Sequence, residues 1–258
     1  MPVPLKAALL ACAVMLSVPM SAAVYEFESD IGKIEPSEES GKVAVTIPYG
    51  TLMILSDESS RAVDLNTGAI SALHSAPQSE TWITGSFNPS TWSLVNRTGI
   101  QYRKRFAGLT ATDTGITPDY LFASNGHQYS LYSRESKDKV LSREATKGLV
   151  RFGFVDTESK SLITGSTKGV VENVSLSDSL NWRKTYGDAS VDPEQGPRNT
   201  LVRGRNFVEA LDHEGETVWS RSSVSSDYRE GRVALLKDDE SVQVLDSGDG
   251  EVVWSRSV

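Results

Sequence analysis

A short pattern recurs about six times along this chain, and it restricts the possible folds more than any other feature. Each copy contains a short strand, a second strand that often ends in Leu-Asp, a turn and a third strand. The two clearest copies carry Trp-Ser-Arg in the third strand, at Trp219 and Trp254. A fainter copy upstream places Trp182 at the same point. Such self-similarity is typical of repeat architectures, in which each copy is one structural unit.

The spacing of the copies predicts a β-propeller. The position equivalent to tryptophan falls at residues 72, 103, 142, 182, 219 and 254, so the copies are 31 to 40 residues apart. Units of about 40 residues with three or four short strands are typical of propeller blades. Stretches with the period of an amphipathic helix are almost absent. We therefore predict an all-β fold, a β-propeller with about six recognisable PQQ-like blades, and leave open how the ring closes.

The early copies are degenerate, because Ala72, Arg103 and Ser142 occupy the tryptophan position. Two stretches rich in proline and acidic residues, 35–40 and 188–198, are predicted as loops.

The recurring residues have roles that follow from their chemistry. The aspartate that ends the second strand is expected to accept hydrogen bonds from N–H groups of the turn. The glycine is expected to take a positive φ and so allow the hairpin to close. The tryptophan is expected to bury its ring between adjacent blades. We predict these structural roles for Trp182, Trp219, Trp254, Asp212, Asp246, Gly68, Gly99, Gly215 and Gly250.

The first residues have the pattern of a secretory signal peptide. Lys6 supplies the positive charge, an apolar run extends from Ala7 to Val18, and Ser21-Ala22-Ala23 offers a cleavage site before Val24. The run is shorter than the ~20 apolar residues that cross a bilayer. We predict a signal peptide at residues 1–23 and the propeller at residues 24–258. The single cysteine, Cys12, lies inside the signal, so the remaining chain has no disulfide.

Charge and motifs argue against several functional classes. A net charge of −8 disfavours nucleic acid and anionic membrane surfaces as partners. The three histidines, His74, His127 and His213, lie apart and outside any metal-binding motif. The chain has no Gly-x-Ser-x-Gly elbow and no phosphate-binding loop. We therefore predict no catalytic, cofactor-binding or metal-binding residues, no small-molecule substrate and no enzymatic activity.

Two Asn-x-Ser/Thr triplets, at Asn96 and Asn173, fit the acceptor pattern for N-glycosylation. In a eukaryotic secretory pathway they would be surface glycosylation sites.

The repeat resembles quinoprotein-type (PQQ-like) propeller blades, a group that includes dehydrogenases and non-catalytic scaffolds. Four segments are similar, more specifically, to the N-terminal luminal propeller of subunit 1 of the ER membrane protein complex: Val24–Glu26, Gly32-Lys33, Asp64–Gly68 and Leu180–Trp182. The family's first-blade tryptophan is replaced here by Ala72, and the family protein is far longer. We expect a fragment, a truncated gene product or a reduced homologue.

The resemblance implies a luminal scaffold that supports insertion of membrane proteins into the ER membrane. Its partners would be other protein subunits of that complex, and no catalytic residue is carried over. Two alternatives remain open. One is a bacterial cell-envelope propeller scaffold for outer-membrane protein assembly, located in the periplasm. The other is a quinoprotein-type enzyme, which would require a calcium site and a cofactor pocket.

Overall fold

The computed structural model describes residues 32–37, 41–47, 50–56, 59–76, 79–106, 113–187, 189–196, 198–229 and 231–257. The regular secondary structure within these residues consists of β-strands alone, so the predicted all-β class is confirmed. The described part of the chain holds no helix with the length and apolar character needed to span a bilayer. The predicted signal peptide, residues 1–23, lies outside the described residues.

The described strands form six antiparallel sheets, each built from four strands that are consecutive in sequence. Sheet 1 contains β1 (Ile34–Pro36), β2 (Val43–Ile47), β3 (Thr51–Ser56) and β4 (Ser59–Asp64). Sheet 2 contains β5 (Ile70–Ser75), β6 (Thr81–Ser86), β7 (Thr91–Asn96) and β8 (Gly99–Arg105). Sheet 3 contains β9 (Asp113–Ile116), β10 (Tyr120–Ser124), β11 (Gln128–Ser133) and β12 (Lys139–Glu144).

The second half of the chain repeats this order. Sheet 4 contains β13 (Val150–Asp156), β14 (Ser161–Ser166), β15 (Val170–Ser175) and β16 (Leu180–Thr185). Sheet 5 contains β17 (Asp192–Gln195), β18 (Thr200–Gly204), β19 (Phe207–Leu211) and β20 (Thr217–Ser222). Sheet 6 contains β21 (Ser225–Arg229), β22 (Arg232–Leu236), β23 (Ser241–Asp246) and β24 (Val252–Ser257).

The first strands of consecutive sheets contact one another, β1 with β5, β5 with β9, β9 with β13 and β13 with β17. We therefore call the first strand of each sheet its inner strand and the fourth its outer strand. Sheets that converge on their inner strands and pack face to face form a β-propeller, as predicted. In sheets 2 to 6, each blade is a predicted three-strand unit preceded by one inner strand.

Five apolar clusters fill the interfaces between consecutive sheets, which we call seams. Leu201 and Val202 show how one strand serves two of them. The two are neighbours on β18, and their side chains point to opposite faces because the side-chain period of a strand is two. Leu201 packs with Val233 of sheet 6, whereas Val202 packs with Ile163 of sheet 4. Each fully buried apolar side chain of this size contributes about 1.5–3 kcal/mol.

In two seams a tryptophan from the outer strand packs on a glycine of the next sheet. A Cβ atom added to Gly215 would lie 2.7 Å from the Trp182 ring, and one added to Gly250 would lie 2.7 Å from the Trp219 ring. The indole N–H groups donate to main-chain oxygens of the same turns, Trp182 to His213 at 2.8 Å and Trp219 to Ser247 at 3.0 Å. These contacts place both rings between blades. Trp254, for which the same burial was predicted, is 46% exposed, because none of the described sheets packs on its face of sheet 6.

A β-bulge recurs in the outer strands of sheets 2 to 6. Each bulge adds one residue to the outer strand immediately before the tryptophan position: Gln101, Val140, Asn181, Val218 and Val253. Bulges increase local twist and make an edge a poor template for further strand pairing. They therefore protect the exposed outer edges of these five sheets.

The register corrects the predicted tryptophan position in the first three copies. Ala72 lies on β5, the inner strand of sheet 2, so the first predicted copy crosses a sheet boundary. In sheets 4 to 6 the tryptophan is the residue that directly follows the bulge of the outer strand. In sheets 2 and 3 this position holds Tyr102 and Leu141, not Arg103 and Ser142. A shift of one residue moves a side chain to the other face of the sheet, which is why the correction matters.

We expect Gly250→Ala to destabilise the protein more than Gly187→Ala. Both glycines have a left-handed φ, +71° and +73°, but a Cβ on Gly187 meets no atom within 4 Å. Gly187→Ala should therefore cost only the backbone strain of about 1 kcal/mol. Gly250→Ala must also displace the Trp219 ring and should cost about 2–4 kcal/mol. Urea unfolding followed by tryptophan fluorescence measures both values, and equal losses would contradict the packing of Trp219 on Gly250.

Candidate functional site

A group of charged side chains lies at the inner end of the seam between sheets 5 and 6. Arg203 on β18 is paired directly with Asp192 on β17, and its Nη2 atom lies 2.8 Å from Asp192 Oδ2. The same Nη2 contacts Glu194 Oε1. Nη1 of Arg203 lies 3.9 Å from Asp227 Oδ1 on β21, the inner strand of sheet 6. We call these four residues the Arg203 cluster.

Strand geometry explains why the two carboxylates of sheet 5 share one guanidinium. Asp192 and Glu194 are two residues apart on β17, so their side chains lie on the same face. Arg203 points to that face from the neighbouring strand and also donates a hydrogen bond to the main-chain oxygen of Ser226 at 3.4 Å. The Arg203 cluster therefore joins the inner strands of sheets 5 and 6 through one side chain.

One guanidinium does not neutralise three carboxylates, and the protonation of the cluster reflects this imbalance. Burial raises the pKa of Glu194 to about 7 against the opposing effect of Arg203, and the negative charges of Asp192 and Asp227 raise it further. Burial also raises the pKa of Asp192, although Arg203 opposes the shift by charge and by hydrogen bonding. The cluster therefore holds a proton close to neutral pH.

A second perturbed carboxyl lies on the inner strand of sheet 3. Burial raises the pKa of Asp113 to about 6, whereas a hydrogen bond from the Thr114 main-chain N–H and the charges of Lys33 and Arg151 oppose the shift. The charge of Asp192 raises the pKa of Asp113 further, which connects this group to the Arg203 cluster. The inner strands of sheets 3, 4 and 5 thus carry mutually interacting charges.

We call the inner strands of sheets 3 to 5 the inner wall, and its Glu194 and Asp113 carboxyls can take up protons near neutral pH. The described residues contain no set of three or more His, Cys, Asp or Glu side chains arranged to hold a metal ion. The partner of Glu194 and Asp192 is an arginine, which stays protonated and cannot serve as a nucleophile or base. The geometry therefore favours an electrostatic role for the inner wall.

The structure places both predicted turn aspartates as expected. Asp212 Oδ1 accepts hydrogen bonds from the main-chain N–H groups of Glu214 and Glu216, at 3.0 and 2.8 Å. Asp246 Oδ1 accepts one from Gly248 at 2.9 Å. The three turn glycines that follow the predicted pattern have positive φ values: Gly99, Gly215 and Gly250.

Gly68 differs from the predicted role. It lies between β4 and β5, in the connection from sheet 1 to sheet 2, and it is not among the described glycines with positive φ. A glycine is needed at position 68 because a side chain has no room there: an added Cβ would lie 2.4 Å from the main-chain oxygen of Phe87. The prediction that Gly68 closes a hairpin through a positive φ was wrong.

The two sequons occupy different environments. Asn173 is only 3% exposed, and its Oδ1 atom accepts a hydrogen bond of 2.8 Å from the Asn181 amide. A glycan requires an accessible amide, so the folded protein does not fit the predicted site at Asn173. Asn96 is half-buried, and its Oδ1 atom accepts hydrogen bonds from Thr98 N–H and Thr98 Oγ1. Glycosylation of Asn96 remains a prediction.

Sequence reasoning missed the Arg203 cluster because it assigned residues 188–198 to a loop. Residues 192–195 instead form β17. Pro193 fits there because β17 is the edge strand of its sheet, where a missing N–H is tolerated. The alternation of Asp192 and Glu194 across Pro193 was the available signal, since it places two carboxylates on one face.

Comparison with known proteins supports the fold assignment. No known protein family matches the sequence, and neither does any curated protein. Among solved structures, the chain is similar to BamB from Moraxella catarrhalis, with a TM-score of 0.69 and 11% sequence identity. The match covers 92% of this chain and 80% of BamB. At this identity the similarity concerns the fold.

The raised pKa values predict that stability falls as pH rises. A carboxyl whose pKa is higher in the folded than in the unfolded state binds more protons when folded, so stability is lost as pH rises through the folded pKa. For Glu194 this window extends from about 4.5 to about 7. Between pH 5 and pH 8, the free energy of unfolding should therefore fall less in Glu194→Gln than in the unchanged protein, by about 1 kcal/mol or more. Urea unfolding at both pH values measures the effect.

Glu251→Gln serves as the control for this experiment, because Glu251 is exposed on the turn before β24. An unchanged pH dependence in Glu194→Gln, or an equal change in Glu251→Gln, would contradict the assignment of the proton to the Arg203 cluster.

Removal of Arg203 should be more damaging than removal of a surface arginine. Arg203→Gln leaves the carboxylates of Asp192 and Glu194 without their counter-charge and should cost about 3 kcal/mol or more at pH 8. Arg143→Gln removes an exposed pair with Asp178 at 2.8 Å and should cost less than about 1 kcal/mol. Thermal unfolding of both variants at pH 8 provides the comparison. Similar losses would show that the Arg203 cluster is as well solvated as a surface pair.

Proposed function

We propose that this protein is a non-catalytic β-propeller scaffold that acts through contacts with other proteins in a membrane-protein assembly machinery. The observation that carries the proposal is the propeller itself, which is similar over 92% of its length to BamB. A repeat protein of this kind presents many loops and strand edges on a rigid frame, which suits the binding of several partners.

The roles of the recurring residues support a scaffold over an enzyme. The repeated tryptophan, aspartate and glycine residues stabilise seams and turns, as the contacts of Trp219, Asp212 and Gly250 illustrate. The residues with the most unusual chemistry, the Arg203 cluster, join two blades. Each of these residues has a structural contact that accounts for it without invoking a substrate, and this is why we favour a binding function.

Two cellular placements follow, each with its own support. Structural similarity to a bacterial propeller favours a cell-envelope scaffold for outer-membrane protein assembly, located in the periplasm. The segments Val24–Glu26, Gly32-Lys33 and Leu180–Trp182 favour the luminal scaffold of the ER membrane protein complex. The structural similarity extends along nearly the whole chain, whereas the sequence resemblance is limited to short segments. We therefore place the bacterial cell envelope first.

Affinity purification of the tagged full-length chain from its native cells tests the proposal. Recovery of outer-membrane assembly proteins is expected for the cell-envelope placement, and recovery of the other ER complex subunits would move the scaffold to the ER. Arg143→Gln, a surface change, should retain the partners. Gly250→Val, which forces apart the contact with Trp219, should lose them. Cofactor-dependent turnover of a small substrate by a protein without partners would contradict the scaffold function.

A further inference from the structure

The face of sheet 6 that points away from sheet 5 is apolar and uncovered. Trp254 on this face is 46% exposed, and Leu236 is 38% exposed. Strand pairing identifies the equivalent positions in the two sheets. In sheet 6, Val244 pairs with Trp254 and with Ala234. In sheet 5, Ala210 pairs in the same way with Trp219 and with Leu201. In sheet 5 the equivalent face is buried, with Leu201 and Ala210 at 0% and Trp219 at 5% exposure. The two faces have similar residues but different surroundings.

The uncovered face belongs to none of the described seams. Sheet 6 contributes Val233, Leu235 and Leu245 to the cluster shared with sheet 5, and all three lie on its other face. The five apolar clusters of the described residues join sheets 1 to 6 in sequence order, and none joins sheet 6 to sheet 1. Trp254 thus projects into solvent from the sixth blade as the described residues place it.

The other two repeat tryptophans show which surface fits such a face. The rings of Trp182 and Trp219 lie against Gly215 and Gly250, and each indole N–H donates to a main-chain oxygen two or three residues before that glycine. A surface that receives Trp254 in this way must therefore offer a glycine turn with an accessible carbonyl group. This turn is the one that joins the third and fourth strands of a blade.

The sequence of sheet 1 lacks the glycine that this surface requires. Its connection between β3 and β4 has the sequence Ser56-Asp57-Glu58-Ser59 and contains no glycine. A second copy of the chain would present the same sheet 1. The glycine turns at Gly215 and Gly250 are already occupied by Trp182 and Trp219, and the turn that contains Gly99 receives a hydrogen bond from Arg61 to the Thr98 oxygen at 3.3 Å.

We propose that this face of sheet 6 is the seat of a seventh four-stranded sheet of the same repeat, and that Trp254 packs on the glycine of its third turn. Continuity with the five seams supports this occupant, because each seam joins a sheet to the next one of the same kind. The inference does not depend on the proposed function.

The test appends a second copy of residues 223–258 to the full chain after Val258. That copy supplies a four-stranded sheet with the counterpart of Gly250 in its third turn. Both proteins are labelled with 5-fluorotryptophan, and Trp254→Phe assigns the Trp254 signal. In the original chain the Trp254 fluorine signal should shift between H₂O and D₂O, and in the extended chain this solvent shift should fall to that of Trp219.

A matched control carries valine at the counterpart of Gly250 in the appended copy, and here Trp254 should remain accessible. If the extended chain leaves Trp254 as accessible as before, the proposal is wrong. Protection of Trp254 in the original chain would also overturn it: in a monomer it would indicate closure by sheet 1, and in a dimer coverage by a second copy. Size-exclusion chromatography with light scattering distinguishes those two cases.

A second comparison keeps the test decisive even if the extended chain fails to fold. In the original chain, Trp219→Ala should clearly lower the urea midpoint, because it removes a buried ring and its hydrogen bond. Trp254→Ala should lower the midpoint much less, because 46% of Trp254 is exposed. A comparable loss for Trp254→Ala would show that the face is already covered and would contradict the proposal.

Discussion

Packing of each sheet against the next is the constraint on which the rest of this structure depends. A four-stranded sheet with two apolar faces exposes apolar area to water until other sheets cover it, so packing against a neighbour is favourable on each side. In two seams this packing is fixed by a tryptophan ring, which covers a glycine and donates its N–H to the same turn. The ring fills space between the two sheets, and the hydrogen bond fixes the ring against the turn of the next sheet.

Other seams meet the same need with different side chains. Between sheets 2 and 3, Trp92 packs between Tyr102 and Tyr132, with ring centroids 5.2 and 5.0 Å away. Lys104 adds a cation–π contact to Tyr132 at 4.6 Å. Between sheets 3 and 4, Leu141 belongs to the apolar cluster that fills the seam. The early blades are therefore degenerate in sequence but not in packing.

Apolar packing at the middle of a seam stabilises the fold, whereas the partly buried charges at its inner end reduce stability. The Arg203 cluster joins sheets 5 and 6, yet it holds two acidic groups whose ionised forms are disfavoured by burial. Such an arrangement reduces stability at high pH. We regard the inner wall as the part of the frame with the most distinctive electrostatics.

The sequence alone determined the fold class and the roles of Asp212, Asp246, Trp182 and Trp219. These depend on local patterns of period two and on turn chemistry, which are visible in one copy. The tertiary structure decided the rest. The outer-strand bulges moved the tryptophan position to Tyr102 and Leu141, and the pairing of β17 with β18 assembled the Arg203 cluster. Only three-dimensional packing distinguished the buried Trp219 from the exposed Trp254, because burial depends on which sheet lies opposite.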